Sequence, residues 1–211
     1  TKPSSSSTGA AASAVGPRGL KSGEVLFATD RAFESDPEPR YRIAGRRGEL
    51  AFGQATFNID PSRKMGATDE GLAPMTDVGL LSSADFEARL SAALQAATKK
   101  EIVIFVHGFN NAFESASRAL ALISSDVHFG GVPILFSWPS DGAATRYGSD
   151  EEEVRASRDN FLKFVEKVSL TAGLERLHVA AHSMGNRLIL EAIDRFDGTS
   201  QDGKAKLFHH A

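Results

Sequence analysis

The sequence predicts an α/β domain with a mostly parallel sheet and helices on both faces. Three observations carry this expectation. Strand-like and helix-like segments alternate through most of the 211 residues, the pattern of a sheet wrapped by its own crossovers. The run Ile102-Val103-Ile104-Phe105-Val106 is continuously apolar, as suits a central strand covered on both faces. Two motifs, around His107 and Ser183, each follow such a strand at its carboxyl end, where open α/β sheets hold their ligands.

Taken in order, residues 1–22 read as a flexible tail and 23–211 as one domain, long enough for a substantial core. The first thirteen residues are small, polar and low in complexity, with no initiating Met and no apolar signal core. A chain processed or cut at its start is expected, and exported and cytoplasmic placements stay equally open. Glu24 to Thr29 and Leu50 to Ile59 read as early strands, with Phe52, Phe57 and Ile59 among their apolar positions. Pro61 to Met75 is rich in turn and breaker residues. Phe86, Leu90, Ala93, Leu94 and Ala97 mark an amphipathic helix. The strand from Glu101 then runs into His107-Gly108-Phe109, and Asn111 with Glu114 has the spacing of a capping box opening a helix over 112–124. Val132 to Trp138 is a strand closed by Pro139. Ser149 and the acids Asp150 to Glu153 open a helix reaching about Leu170, with the acids where the helix dipole favours them.

Ala181-His182-Ser183-Met184-Gly185 follows the strand that starts near Arg176. It is the sequence form of a nucleophile elbow, G-x-S-x-G with its first glycine replaced by alanine. Such a turn strains the backbone of Ser183 and lifts its hydroxyl above the sheet, and small neighbours such as Ala181 and Gly185 avoid collision. Met184, Leu188, Ile189, Ala192, Ile193 and Phe196 recur near a 3.6-residue period, so a helix starts at once, with Gly198 as its stop. Its N-terminal N–H groups favour the negative charge of an acyl-transfer intermediate. With Ser183 as nucleophile, the backbone N–H groups of Phe109 and Met184 form the natural oxyanion pair, with Gly108 letting the chain come close. The competing reading of Ser183 is a helix N-cap serine.

These two motifs, in this order and separated by one further strand and two helices, resemble the α/β-hydrolase superfamily. Gly23 to Arg31, Phe52-Gly53 and Phe136 to Gly142 further resemble a largely bacterial branch known as a domain of unknown function, and the resemblance covers roughly 23–211. It implies a serine hydrolase of ester or related acyl substrates, small or lipid-like, with no cofactor. It also implies an order of serine, acid, then histidine. After Ser183 the sequence offers only Glu191, Asp194, Asp197 and Asp202 as acids and His209 and His210 as bases, none well placed. The acid and base are therefore expected beyond residue 211, with 206–211 as the first half of a further strand. The same gap supports a rival reading, a non-catalytic binding domain on a retained scaffold. An incompletely built sheet would expose an edge prone to self-association.

The remaining candidates are weighed by position. His182 is expected to pack or hydrogen-bond, His107 to anchor the loop it begins, and His178 to be a satisfied buried or half-buried histidine. Asp141 reads as a turn residue. Trp138 either lines a pocket or packs in the core. The histidines are too scattered for a zinc site. A formal charge of −3 without a basic stripe interleaved with aromatics argues against nucleic acid. No apolar run reaches the ~18 residues of a membrane span. The absence of cysteine removes disulfide and thiolate chemistry.

Overall fold

The computed structural model describes residues 20–21, 23–35, 41–68, 70–127, 129–140 and 147–195. They form β1 (Glu24–Ser35), β2 (Tyr41–Phe57), β3 (Met75–Leu81), α1 (Ser83–Ala96), β4 (Glu101–Val106), α2 (Phe113–Val127), β5 (Val132–Ser137), α3 (Tyr147–Ser169), β6 (Arg176–Ala181) and α4 (Gly185–Arg195). The strands make one sheet in the order β3-β2-β1-β5-β4-β6. β1, β5, β4 and β6 are mutually parallel, while β2 is antiparallel to both β1 and β3. The expected end of the elbow helix at Gly198 and the expected strand at 206–211 lie outside the described residues.

Alternation of side chains across the sheet divides the core in two. Leu26, Ala28, Ile102, Ile104, Val106, Ile134 and Phe136 face the layer of α1, α3 and α4. Val25, Phe27, Ala55, Phe57 and Leu135 face α2. Phe86 of α1 and Phe164 of α3 meet Phe52 of β2 at ring-centroid distances of 4.9 and 6.4 Å. On the other face Phe27 and Phe113 pack edge to face at 4.7 Å. Each such buried ring is worth roughly 1.5–3 kcal/mol of apolar transfer.

Several elements depart from the reading of the sequence. β1 and β2 extend past the expected strands as a long hairpin arm, and its ladder shifts register on both sides of Arg31. Gly48 lies opposite that irregularity, where a Cβ would stand 2.7 Å from Ala32 Cα. β3 was not expected at all: it is an edge strand of which only Val78 is buried. In β4 burial alternates, with Ile102, Ile104 and Val106 buried and Val103 and Phe105 only partly so. The α2 face is thus less fully covered here than a continuous apolar run implies. The capping box does not form, because Asn111 turns its side-chain amide back to the carbonyls of Phe109 (2.9 Å) and Gly108 (3.3 Å), and Glu114 pairs with Arg118 instead.

α1 shows a complete set of caps. Ser82 Oγ accepts from Asp85 N at 3.1 Å and donates to the Asp85 carboxylate. At the other end Lys100 Nζ folds back to donate to the carbonyls of Leu94, Gln95 and Ala97 at 2.8–3.0 Å. A cation thereby serves carbonyls at the end of the helix, of which Leu94 O also accepts from Ala97 N at 3.2 Å.

The connections place the site. β4 leads through α2, on one face, to β5, whereas β6 leads directly into α4, on the other. β4 and β6 are neighbours in the sheet, with Val106 opposite Ala181. Where adjacent parallel strands send their chains to opposite faces, a crevice opens at their carboxyl ends. The turns at His107-Gly108 and His182-Ser183 follow directly on those two carboxyl ends.

Candidate active site

Ser183 stands in the left-handed region with φ 51°. A residue with a Cβ held there costs on the order of 1–3 kcal/mol. The turn around it is tied down at both ends. His182 N donates to Val106 O, and Gly185 N, Asn186 N and Arg187 N donate to the carbonyls of His182, Ser183 and Met184, all at 3.0 Å. Asn186 adds a side-chain bond to Ser183 O at 3.1 Å. Met184 is buried and Ser183 exposed. The Ser183 hydroxyl makes no hydrogen bond to a described residue, and Met184 N–H likewise meets no acceptor among them.

The His-Gly loop presses on this turn closely enough to require glycine. A Cβ on Gly108 would lie 2.7 Å from His182 Nδ1, 2.9 Å from His182 O and 3.0 Å from Ser183 Cβ. One on Gly185 would lie 2.6 Å from His107 O and 2.7 Å from Val106 O. The two glycines let two turns from different strands nearly touch. Ala181 ends β6, half-buried, and His182 is exposed, with its Nδ1 beside Gly108. Phe109 is half-buried, at the start of the loop leaving Gly108.

Behind the loop lies a buried polar layer. His107 is 2% exposed, stacked on Trp138 with ring centroids 5.0 Å apart. Trp138 Nε1 donates to His107 O at 2.9 Å. Trp138 is fully buried, which decides between the two roles expected of it: it packs. His107 Nδ1 is 2.9 Å from Gly108 O, a contact that requires a proton on Nδ1. Burial first, and then the Arg31 guanidinium, hold the imidazole neutral by lowering its pKa to about 3. Nε2 is therefore an acceptor, facing Ser137 Oγ at 3.2 Å and Arg31 Nη2 at 3.4 Å. Arg31, 1% exposed, also donates to Ser137 Oγ (2.9 Å), Ser140 O (2.9 Å) and Asn111 O (2.7 Å). Its neighbour Asp30 points to the opposite face, buried near Arg47 and Asn160 of α3. Burial raises the Asp30 pKa, opposed by Ser157, Arg47 and Asn160.

Other sequence candidates lie apart. His178 is exposed rather than buried, pairing with Glu101 across the strands at 3.4 Å, because the face of β6 that carries it has no helix over it among the described residues. Glu191 pairs with Arg155, and Asp194 is exposed further along α4. Eight residues beyond Ser183, Glu191 is about 12 Å up the helix axis. Asp141, Asp197, Asp202, His209 and His210 lie outside the described residues. Arg31, which lies behind the His-Gly loop, was not among the sequence candidates. Its signals were a place just past the expected strand 24–29 and within the 23–31 motif, and neither distinguishes a buried arginine from a solvated one. No group of three or more metal-ligating side chains occurs among the described residues, and no described helix is long and apolar enough to cross a membrane.

A mostly parallel sheet wound on both faces, with a left-handed serine between a strand and its helix, has the architecture of an α/β hydrolase. Comparison with family models agrees: residues 82–209, more than half of the chain, match the family described as α/β hydrolases of unknown function (DUF900), and the chain belongs to it. No curated protein and no solved structure matches the chain.

Proposed function

We propose that the protein is a serine hydrolase of ester or related acyl substrates, with Ser183 as nucleophile. The observation that carries this reading is the strained backbone of Ser183 at φ 51°, held against a glycine loop at the carboxyl ends of two adjacent strands. Strain of this kind persists only where the surroundings enforce it, and it collects at reactive groups. In this reading the Ser183 hydroxyl attacks the acyl carbonyl, and the N–H groups of Phe109 and Met184 receive the oxyanion. Gly108 and Gly185 keep the two donors close, and His107, Ala181 and His182 support the turns that carry them. No cofactor takes part. The acid and base come from chain outside the described residues, since His107 is buried behind the loop and already committed through both ring nitrogens.

Fluorophosphonate treatment followed by intact-mass analysis tests this directly. One adduct is expected, absent from Ser183→Ala. A folded chain that gains none would count against an activated serine. The rival reading is a binding domain that retains the scaffold without catalysis; in its favour, the described acids that follow Ser183 lie along α4, with Glu191 paired to Arg155 and Asp194 exposed. Binding of an acyl ester without adduct or turnover would support it. Self-association would use the outer edge of β6, which no described strand covers. Sedimentation velocity over a range of concentrations reads it.

A further inference from the structure

The segment Gly23 to Arg31 carries part of the resemblance noted above, yet the proposed chemistry uses none of it. Its last residue is a fully buried guanidinium, and taking such a charge out of water costs several kcal/mol. An apolar side chain would fill the space at lower cost, so the directed bonds of Arg31 point to a role other than packing. They reach the loop after β5 at Ser140 O, the end of β5 at Ser137 Oγ, and the loop after β4 at Asn111 O and His107 Nε2. The planar fork of arginine can serve this many acceptors at once, and lysine cannot. The register shifts of β1 on either side of Arg31 re-aim its side chain toward them.

We propose that Arg31 is a positioning residue for the Ser183 site, fixing the orientation of the Gly108–Phe109 peptide through His107. The role rests on the hydrolase reading above. Arg31 Nη2 and the Ser137 hydroxyl occupy His107 Nε2 from the donor side, so the ring proton sits on Nδ1. Nδ1–H holds Gly108 O at 2.9 Å, and Asn111 Nδ2 approaches the same oxygen at 3.3 Å. The peptide unit is planar and trans, with its C=O and N–H pointing in opposite directions. Holding Gly108 O inward therefore aims Phe109 N–H outward, and that group is the proposed oxyanion donor. The bond from Arg31 to Asn111 O fixes the far side of the same loop.

The test compares the wild-type chain with Arg31→Met, Arg31→Lys and Ser137→Ala. Turnover of a p-nitrophenyl ester, fluorophosphonate labelling and the imidazole 15N shifts of His107 are the readouts, with near-UV circular dichroism reporting folding. Arg31→Met is expected to lower kcat about 100-fold with little change in KM, the scale of a roughly 1 Å misplacement of a reacting group. His107 should shift toward the Nε2–H tautomer. Arg31→Lys should recover part of kcat, and Ser137→Ala, which removes one bond of Arg31 and one of His107, should lose kcat in the same direction. Unchanged kcat in folded Arg31→Met would overturn the proposal, as would a loss that merely follows the unfolded fraction while the His107 shifts stay put. Should Arg31→Met not fold, Ser137→Ala decides: unchanged kcat and unchanged shifts overturn the role. A wild-type chain that neither turns over nor labels would sink the hydrolase reading and the role with it. The tautomer comparison would then still show separately whether Arg31 sets the ring.

Discussion

Gly108 and His107 bear the tightest constraints at the scale of single residues. The first is limited by space: with a methyl 2.7 Å from His182 Nδ1 and 3.0 Å from Ser183 Cβ, Gly108→Ala must part the loop from the turn. The fluorophosphonate labelling rate should fall by about 100-fold while urea unfolding shows a folded chain, and an unchanged rate would mean that the contact does not matter to reactivity. His107 is limited by charge. Its pKa is about 3 in the folded state against about 6.5 unfolded, so between these values only the unfolded chain takes up the proton. The resulting stability is present above about pH 6.5 and is lost as pH falls, at about 1.4 kcal/mol per pH unit. Urea midpoints between pH 6.5 and 5 should therefore drop more for the wild type than for His107→Asn. Equal slopes would show that the ring titrates alike in the folded and unfolded chain.

Among elements, α1 offers a separable test. Lys100 donates to three carbonyls at its C-terminal end, so Lys100→Met should destabilise by about 1–2 kcal/mol without altering labelling of Ser183; a change below a few tenths would mean that water serves those carbonyls equally well. The helices and parallel strands were legible in the sequence because their apolar periodicity is set by one buried face, as with Phe86, Leu90 and Leu94. The turn at Ser183 was legible because the carbonyls of His107 and Val106 crowd position 185 and leave room only for glycine. β3 was not, since an edge strand burying little besides Val78 leaves almost no pattern. Nor was the diversion of Asn111 from its cap, which depends on where the carbonyls of Gly108 and Phe109 come to rest. The half-covered β4 and the exposed His178 follow from what packs over a face, a property of the whole sheet rather than of any local run.

For the molecule as a whole, the family match and the sheet do not share a boundary. The match covers 82–209, leaving β1, β2 and β3 outside it, yet β1 pairs along β5 from Leu26–Ile134 to Thr29–Ser137. A chain starting at residue 82 would bare the β5 edge and remove the donor to Ser140 O and Asn111 O. It should aggregate or label far more slowly than the full chain, and full-rate labelling of a soluble, monomeric product would show that the first three strands are dispensable.

The pairing of β1 with β5 also bears on how the chain acquires its shape. Arg31 and its acceptors are separated by up to 109 positions in sequence, whereas β1 and β2 form a hairpin from neighbouring residues. Long-range pairings of this kind close late and slowly. β1 is made before β5, so this pairing cannot form until residue 137 has been made, and the same pairing brings the Arg31 guanidinium to Ser137 and Ser140. A chain that has not finished this step carries Ser183 without its settled neighbour loop, so reactivity at that serine should rise in step with the slowest folding phase.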